Sequence, residues 1–117
     1  MLVHRIEHME TGQGPFSSGG AIVHSCPHTG HSPGLMPMPN NDGIEHVDDD
    51  DYFGFTSLDD LRRVFGPYQC SQGAVDGFAY VVYEVEPSKV KVGRSQCCFK
   101  RAHAKEVECV STMALAI

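Results

Sequence analysis

The chain has 117 residues, a length that fits one domain with a real core, and its 41% apolar and 21% charged composition is that of an ordinary globular protein. No apolar run approaches the roughly 18 residues needed to span a bilayer, and five cysteines, an odd number, argue against a complete disulfide framework. The net charge of −6 is unevenly placed: the first 61 residues carry ten carboxylates against Arg5, a formal −9, and the remainder a formal +3. Such asymmetry speaks to association and solubility, not to fold.

Residues 2–8, LVHRIEH, predict a strand with Leu2, His4, Ile6 and His8 on one face and Val3, Arg5 and Glu7 on the other. The opening MLVHRIEHMETG has no apolar h-region, so it does not read as a signal peptide and the expected compartment is cytoplasmic. Residues 10–51 are dense in Gly, Pro, Ser, Asn, Asp and His, a long loop of the kind that is usually functional or mobile. Gly20–His24 is its one β-like segment, and the DDDD run at 48–51 reads as solvated.

YFGFT, residues 52–56, predicts a strand. A helix over 57–65 follows: Ser57 is a good N-cap, Asp59 and Asp60 suit the first turn, and Arg62 and Arg63 suit the last. Gly66-Pro67 stops it. Leu58, Leu61, Val64 and Phe65 form one apolar face, expected to pack on Phe53, Phe55, Val81, Tyr83 and Val85. PYQCSQGAVDG, residues 67–77, reads as a linker. FAYVVYEVE, residues 78–86, is apolar on both faces in its middle, which predicts a central strand covered on both sides. KVKVG (89–93) and SQCCF (95–99) supply further β segments, and residues 101–110 fit either a short helix or a strand. The expected fold is a single α+β domain over residues 1–117, a mainly antiparallel sheet with one short helix packed on it and a long loop in the N-terminal half. Cys70, Cys97, Cys98 and Cys109 read as small, reduced, core-compatible residues.

Four constellations could carry chemistry. His24, Cys26, His28 and His31 fall within eight residues, and thiolate with imidazole is the donor set that zinc favours. Their spacing matches no paired-knuckle pattern, so the expectation is no metal. Cys26 as a nucleophile would need an electropositive setting, which this acidic half does not offer. KVKVGRSQCCFKR, residues 89–101, has the basic and aromatic residues of a nucleic-acid stripe, yet a charged edge strand explains it equally and the net charge disfavours nucleic acid. Finally Arg5 on a first strand, Phe55-Thr56-Ser57 at a later strand's end, and Gln96 on a late strand resemble the mono-ADP-ribosyltransferase pattern. That resemblance implies NAD binding at Arg5, Thr56, Ser57 and Gln96, although Gln96 stands where the family's catalytic glutamate belongs. The plainer reading pairs Arg5 with a carboxylate and makes Ser57 a helix cap.

Most of the chain is covered by another resemblance. RIEHxETGxGPF (5–16), FGFTSLDDLRRVF (53–65) and VYEVEPSKVKVG (82–93) resemble small accessory proteins encoded by phages and prophages. The resemblance implies a viral or mobile-element accessory protein acting in the host cytoplasm, many of which bind and block a host protein as anti-CRISPR inhibitors do; the lack of a complete catalytic set favours such a binder, with no cofactor, over an enzyme. The expected contacts are Asp42, Glu45, Asp48, Asp49, Asp50 and Asp51, facing a basic groove such as one on a CRISPR–Cas component, with Tyr52 as an aromatic anchor.

Overall fold

The computed structural model describes residues 1–12, 14 and 42–115. Strand β1 (Leu2–His8) and β2 (Asp51–Gly54) precede two helices, α1 (Leu58–Val64) and α2 (Pro67–Val75); β3 (Phe78–Val85), β4 (Val90–Val92), β5 (Cys97–Lys100) and β6 (Ala104–Ser111) follow, with single 3-10 turns at 87–89, 101–103 and 112–115. The strands form two three-stranded antiparallel sheets, ordered β1-β3-β6 and β2-β5-β4. The fold is α+β and dominated by sheet.

β3 holds the molecule together. It lies between β1 and β6, and its alternating side chains feed two separate cores. Phe78, Tyr80 and Val82 face the helices with Ile6, Phe55, Leu61, Val64, Phe65, Cys70 and Leu115. Ala79, Val81, Tyr83 and Val85 face the second sheet with Val3, Cys97 and Phe99. A strand apolar on both faces is what such a middle layer requires. The helix therefore packs on Phe55, Phe78, Tyr80 and Val82, and the expected contacts with Val81, Tyr83 and Val85 are corrected: those three line the layer between the sheets. Phe53 is only partly buried and belongs to neither core. Both parities of β3 are apolar, so periodicity alone could not say which face meets the helix.

α1 forms as its sequence prescribes. The Ser57 hydroxyl accepts from the Asp60 N–H at 3.1 Å, and Leu61 and Val64 are buried. α2 corrects the expected linker. Gly66 is its N-cap and Pro67 occupies the first turn, where a missing N–H costs nothing and φ is already helical; the dipeptide that ends one helix starts the next. Thr112 then donates its hydroxyl to the Cys70 carbonyl at 2.7 Å, tying the C-terminal turn to α2.

Besides packing face to face, the two sheets are joined at a seam where His4 and Phe55 exchange backbone bonds of 2.7 and 2.8 Å. Gly54 sits at that crossing, and a Cβ there would lie 2.6 Å from Val3 and 2.8 Å from the His4 carbonyl, so only glycine lets the strands approach. At the opposite edge β6 is mostly exposed. Its register slips between Val82 and Tyr83, leaving Val107 as an extra residue between Glu106 and Glu108. A bulge flanked by charges discourages another strand from adding to that edge. Cys70, Cys97 and Cys98 are buried thiols outside any disulfide, as expected; Cys109 is also a thiol but exposed, because it lies on this edge.

Candidate interaction surface

Arg5, the one cation of the acidic half, is 6% exposed. Its Nε donates to Glu7 Oε1 at 2.9 Å, Nη1 to the Phe53 carbonyl at 2.7 Å and Nη2 to the Gly12 carbonyl at 2.8 Å. The guanidinium also lies 4.3 Å above the Tyr52 ring, a favourable stacking for a planar cation. Tyr83 donates its hydroxyl to the same Glu7 oxygen at 2.7 Å. Burial lowers the Arg5 pKa from its ordinary value while Glu7 opposes the shift; a guanidinium stays charged regardless. Arg5 is thus a clamp joining β1, the turn at Gly12 and β2.

Asp42 is a second clamp. It is 1% exposed, and its carboxylate accepts from the Ser95 N–H at 2.9 Å, the Ser95 hydroxyl at 2.6 Å and the Gln96 N–H at 3.1 Å. Its own carbonyl accepts from the Arg94 N–H at 2.9 Å. The loop before β2 is therefore pinned to the turn between β4 and β5.

Between these clamps lies the acidic turn. Lys100 Nζ reaches Asp48 at 2.8 Å, Asp50 at 2.7 Å and Asp51 at 3.2 Å, while Lys91 Nζ binds Asp51 at 2.9 Å and the His46 carbonyl at 2.9 Å. Cross-strand register makes this possible, since Asp51 pairs with Lys100 on β5 and Lys91 pairs with Cys98 on that same strand. Asp48 is held down to about 2, chiefly by its bond to Lys100 and then by His46. For Asp51, burial pushes the carboxyl up, but the Asp48 N–H and the two lysines outweigh it and hold it below the ordinary value. Lys91 and Lys100 are correspondingly raised, each by its carboxylate bonds. Asp48, Asp50 and Asp51 bring oxygens within 4.8 Å of one another, a spacing that suits a cation, and Lys100 supplies it.

A protein-family model described as the bacteriophage T4 Y00F protein matches residues 1–113. The chain belongs to that family. Searches of curated proteins and of solved structures found no match. The Y00F-family assignment makes this a small phage-encoded protein, and among the described residues no helix is long and apolar enough to cross a membrane. The three segments that carried the phage resemblance fall on architectural positions: Arg5 and Gly12 in the first clamp, Gly54 and Ser57 at the seam and helix cap, and Gly93, whose absent side chain makes room for Asp42.

The expected contact residues divide by burial. Glu45, Asp49 and Asp50 are exposed and Asp48 is partly so, whereas Asp42 and Asp51 are buried. For Asp51 the expectation of a solvated acid is corrected, and Asp42, expected as a contact, is buried as well; each accepts bonds from a distant part of the chain. Tyr52 is partly buried, its ring under Arg5 and 6.1 Å from Phe99, so it supports the turn from beneath. The residues of the NAD resemblance are not assembled into one pocket by the bonds they make: Arg5 serves β2, Ser57 caps α1, Thr56 is exposed, and the Gln96 backbone binds Asp42. His24, Cys26, His28 and His31, and the β-like segment 20–24, lie outside the described residues. Sequence reasoning missed Lys91 and Lys100 as partners of the acidic run; they reach it through the register, which sets Lys91 opposite Cys98 and Asp51 opposite Lys100.

Proposed function

We propose that this phage protein is a non-enzymatic accessory factor that binds a host protein through its acidic turn, residues 45–50, and that the target belongs to host defence machinery presenting a basic groove, a CRISPR–Cas component in the anti-CRISPR form of this reading. The observation that carries it is the locking of the turn. Lys100 ties three carboxylates while Asp50 remains 73% exposed in its side chain, and Glu45 and Asp49 stand free of it in solvent. A turn already fixed in place loses little entropy on binding, and unneutralised acids at its tip steer a basic partner toward it. Asp42 and Asp51 act from behind by fixing the turn.

Capture from lysate of the phage's host tests the reading. The wild-type protein should retain a basic host protein, with slower association as salt rises. A Glu45→Lys, Asp49→Lys variant should lose it while melting at the wild-type temperature, because both side chains are exposed. Recovery of no host protein at low or moderate salt, or equal capture by the variant, would sink this assignment.

A further inference from the structure

A surface of opposite character lies on α2. From Gly66 to Val75 the sequence GPYQCSQGAV holds no charged residue, in a chain that is 21% charged. Tyr68, Ser71, Gln72 and Val75 follow the i, i+3, i+4, i+7 spacing of a single helix face. That face is open at its ends, where Tyr68 is 57% and Val75 78% exposed, and partly buried at Ser71 and Gln72 between them, while Cys70 is fully buried and Gly73 is buried on the inner side. The Ser71 hydroxyl touches Met113 Sδ at 4.0 Å, so Met113, 46% exposed, extends the patch. Charges flank it at both ends. Arg62 and Arg63 occupy the last turn of α1, immediately before α2, and Asp76 caps the far end. Asp76 itself is partly exposed, with its Oδ2 turned inward and buried without a hydrogen-bond partner.

We propose that this face is a self-association surface, on which a second copy of the chain packs its α2 antiparallel to the first about a two-fold axis near Ser71 and Gln72. An isologous contact must be complementary to itself, and this one is. Under that axis Tyr68 of each copy meets Val75 of the other, twice, with both Met113 side chains at the margin. The Arg62–Arg63 end of each copy comes beside the Asp76 end of the other, and the two helix dipoles oppose. Copies of net charge −6 repel across most of their surfaces; a charge-free face with a cationic and an anionic end is where they meet without that repulsion. Tyr and Met with no Lys or Glu is also the composition of an interface core. One nine-residue helix and a methionine bury less than the roughly 1,200 Å² of a standard interface, so the dimer is weak and depends on concentration.

Sedimentation equilibrium of the full chain from about 10 μM to about 1 mM, the upper end matching about −4 kcal/mol of association free energy, reads the outcome. The expected result is a rise from monomer to dimer mass across that range. Val75→Lys and Tyr68→Glu should each move the transition at least about tenfold higher, a loss of about 1.4 kcal/mol, with unchanged melting. Both positions are exposed, and each new charge suits its end of the helix dipole. The double variant Y68E/V75K should regain association, because the introduced charges oppose each other twice across the axis. A monomer at every concentration, a dimer indifferent to V75K, or no recovery in the double variant would overturn the proposal. So would a purely monomeric protein whose capture of a host protein depends on Val75, which would make the face a docking site for that protein instead.

Discussion

Arg5→Met tests the clamp most directly, since it keeps an aliphatic stem in the cavity and removes the guanidinium. Three bonds of 2.7–2.9 Å disappear, to Glu7, the Phe53 carbonyl and the Gly12 carbonyl. A hydrogen bond involving a charged group contributes about 1.5–3 kcal/mol, but relief of the desolvation of Arg5 offsets part of the sum. Breaking one side of a buried ion pair costs about 3–5 kcal/mol, which we adopt as the net effect. Against a total stability of about 5–15 kcal/mol that is severe. At roughly 4 °C per kcal/mol for a domain of this size, the melting temperature should fall by about 12–20 °C in a circular-dichroism scan. Glu7 supplies the internal control. In Arg5→Met its carboxylate loses the guanidinium and keeps the Tyr83 hydroxyl, so R5M/E7Q should be less damaged than the sum of the single variants, a coupling readable in a double-mutant cycle. A drop under about 3 °C for Arg5→Met, or strict additivity with Glu7→Gln, would show that the three bonds do not hold these strands together.

Two further outcomes follow from the other clamp and the acidic turn. In Gly93→Ala the new Cβ would collide with Asp42 Oδ2 and stand 2.8 Å from the Asp42 carbonyl, so the loop should lift at a cost of about 1–3 kcal/mol; amide exchange at Ser95 and Gln96 should quicken, and unchanged exchange would refute the clamp. Asp48 is depressed from 3.8 to about 2, so its contribution to folding is complete above about pH 4 and fades as pH falls toward 2. A carboxyl chemical-shift titration should find its midpoint near 2, and a midpoint near the ordinary value would mean that Lys100 and His46 do not hold it.

Local rules were enough for much of the architecture. Ser57, the acidic first turn and the Leu58–Leu61–Val64–Phe65 face sufficed for α1, and the doubly apolar run at 78–85 sufficed for a covered central strand. The same rules misread Pro67, because Gly-Pro is a stop when read from the left and an N-terminus when read from the right. A helix without charges or strong periodicity offered nothing to correct that. Among the functional candidates, Arg5 was legible as a cation needing a local partner. The burial of Asp42 and Asp51 was not, because their partners at Ser95, Lys91 and Lys100 lie 40 or more positions away and become neighbours only once the sheet register exists. An aspartate in an acidic run looks solvated until that register is known.

The long span between partners also governs when the protein can fold. β1 pairs with β3 in a register that joins Leu2 to Glu84, and β2 waits for β5 and its Lys100. While the chain is being made, the first 61 residues, formally −9, emerge without the strands or the lysines that complete them. Self-repulsion keeps such a segment expanded, and contacts this distant close late and slowly. Lys91 and Lys100 can neutralise the acidic turn only once β4 and β5 have been made.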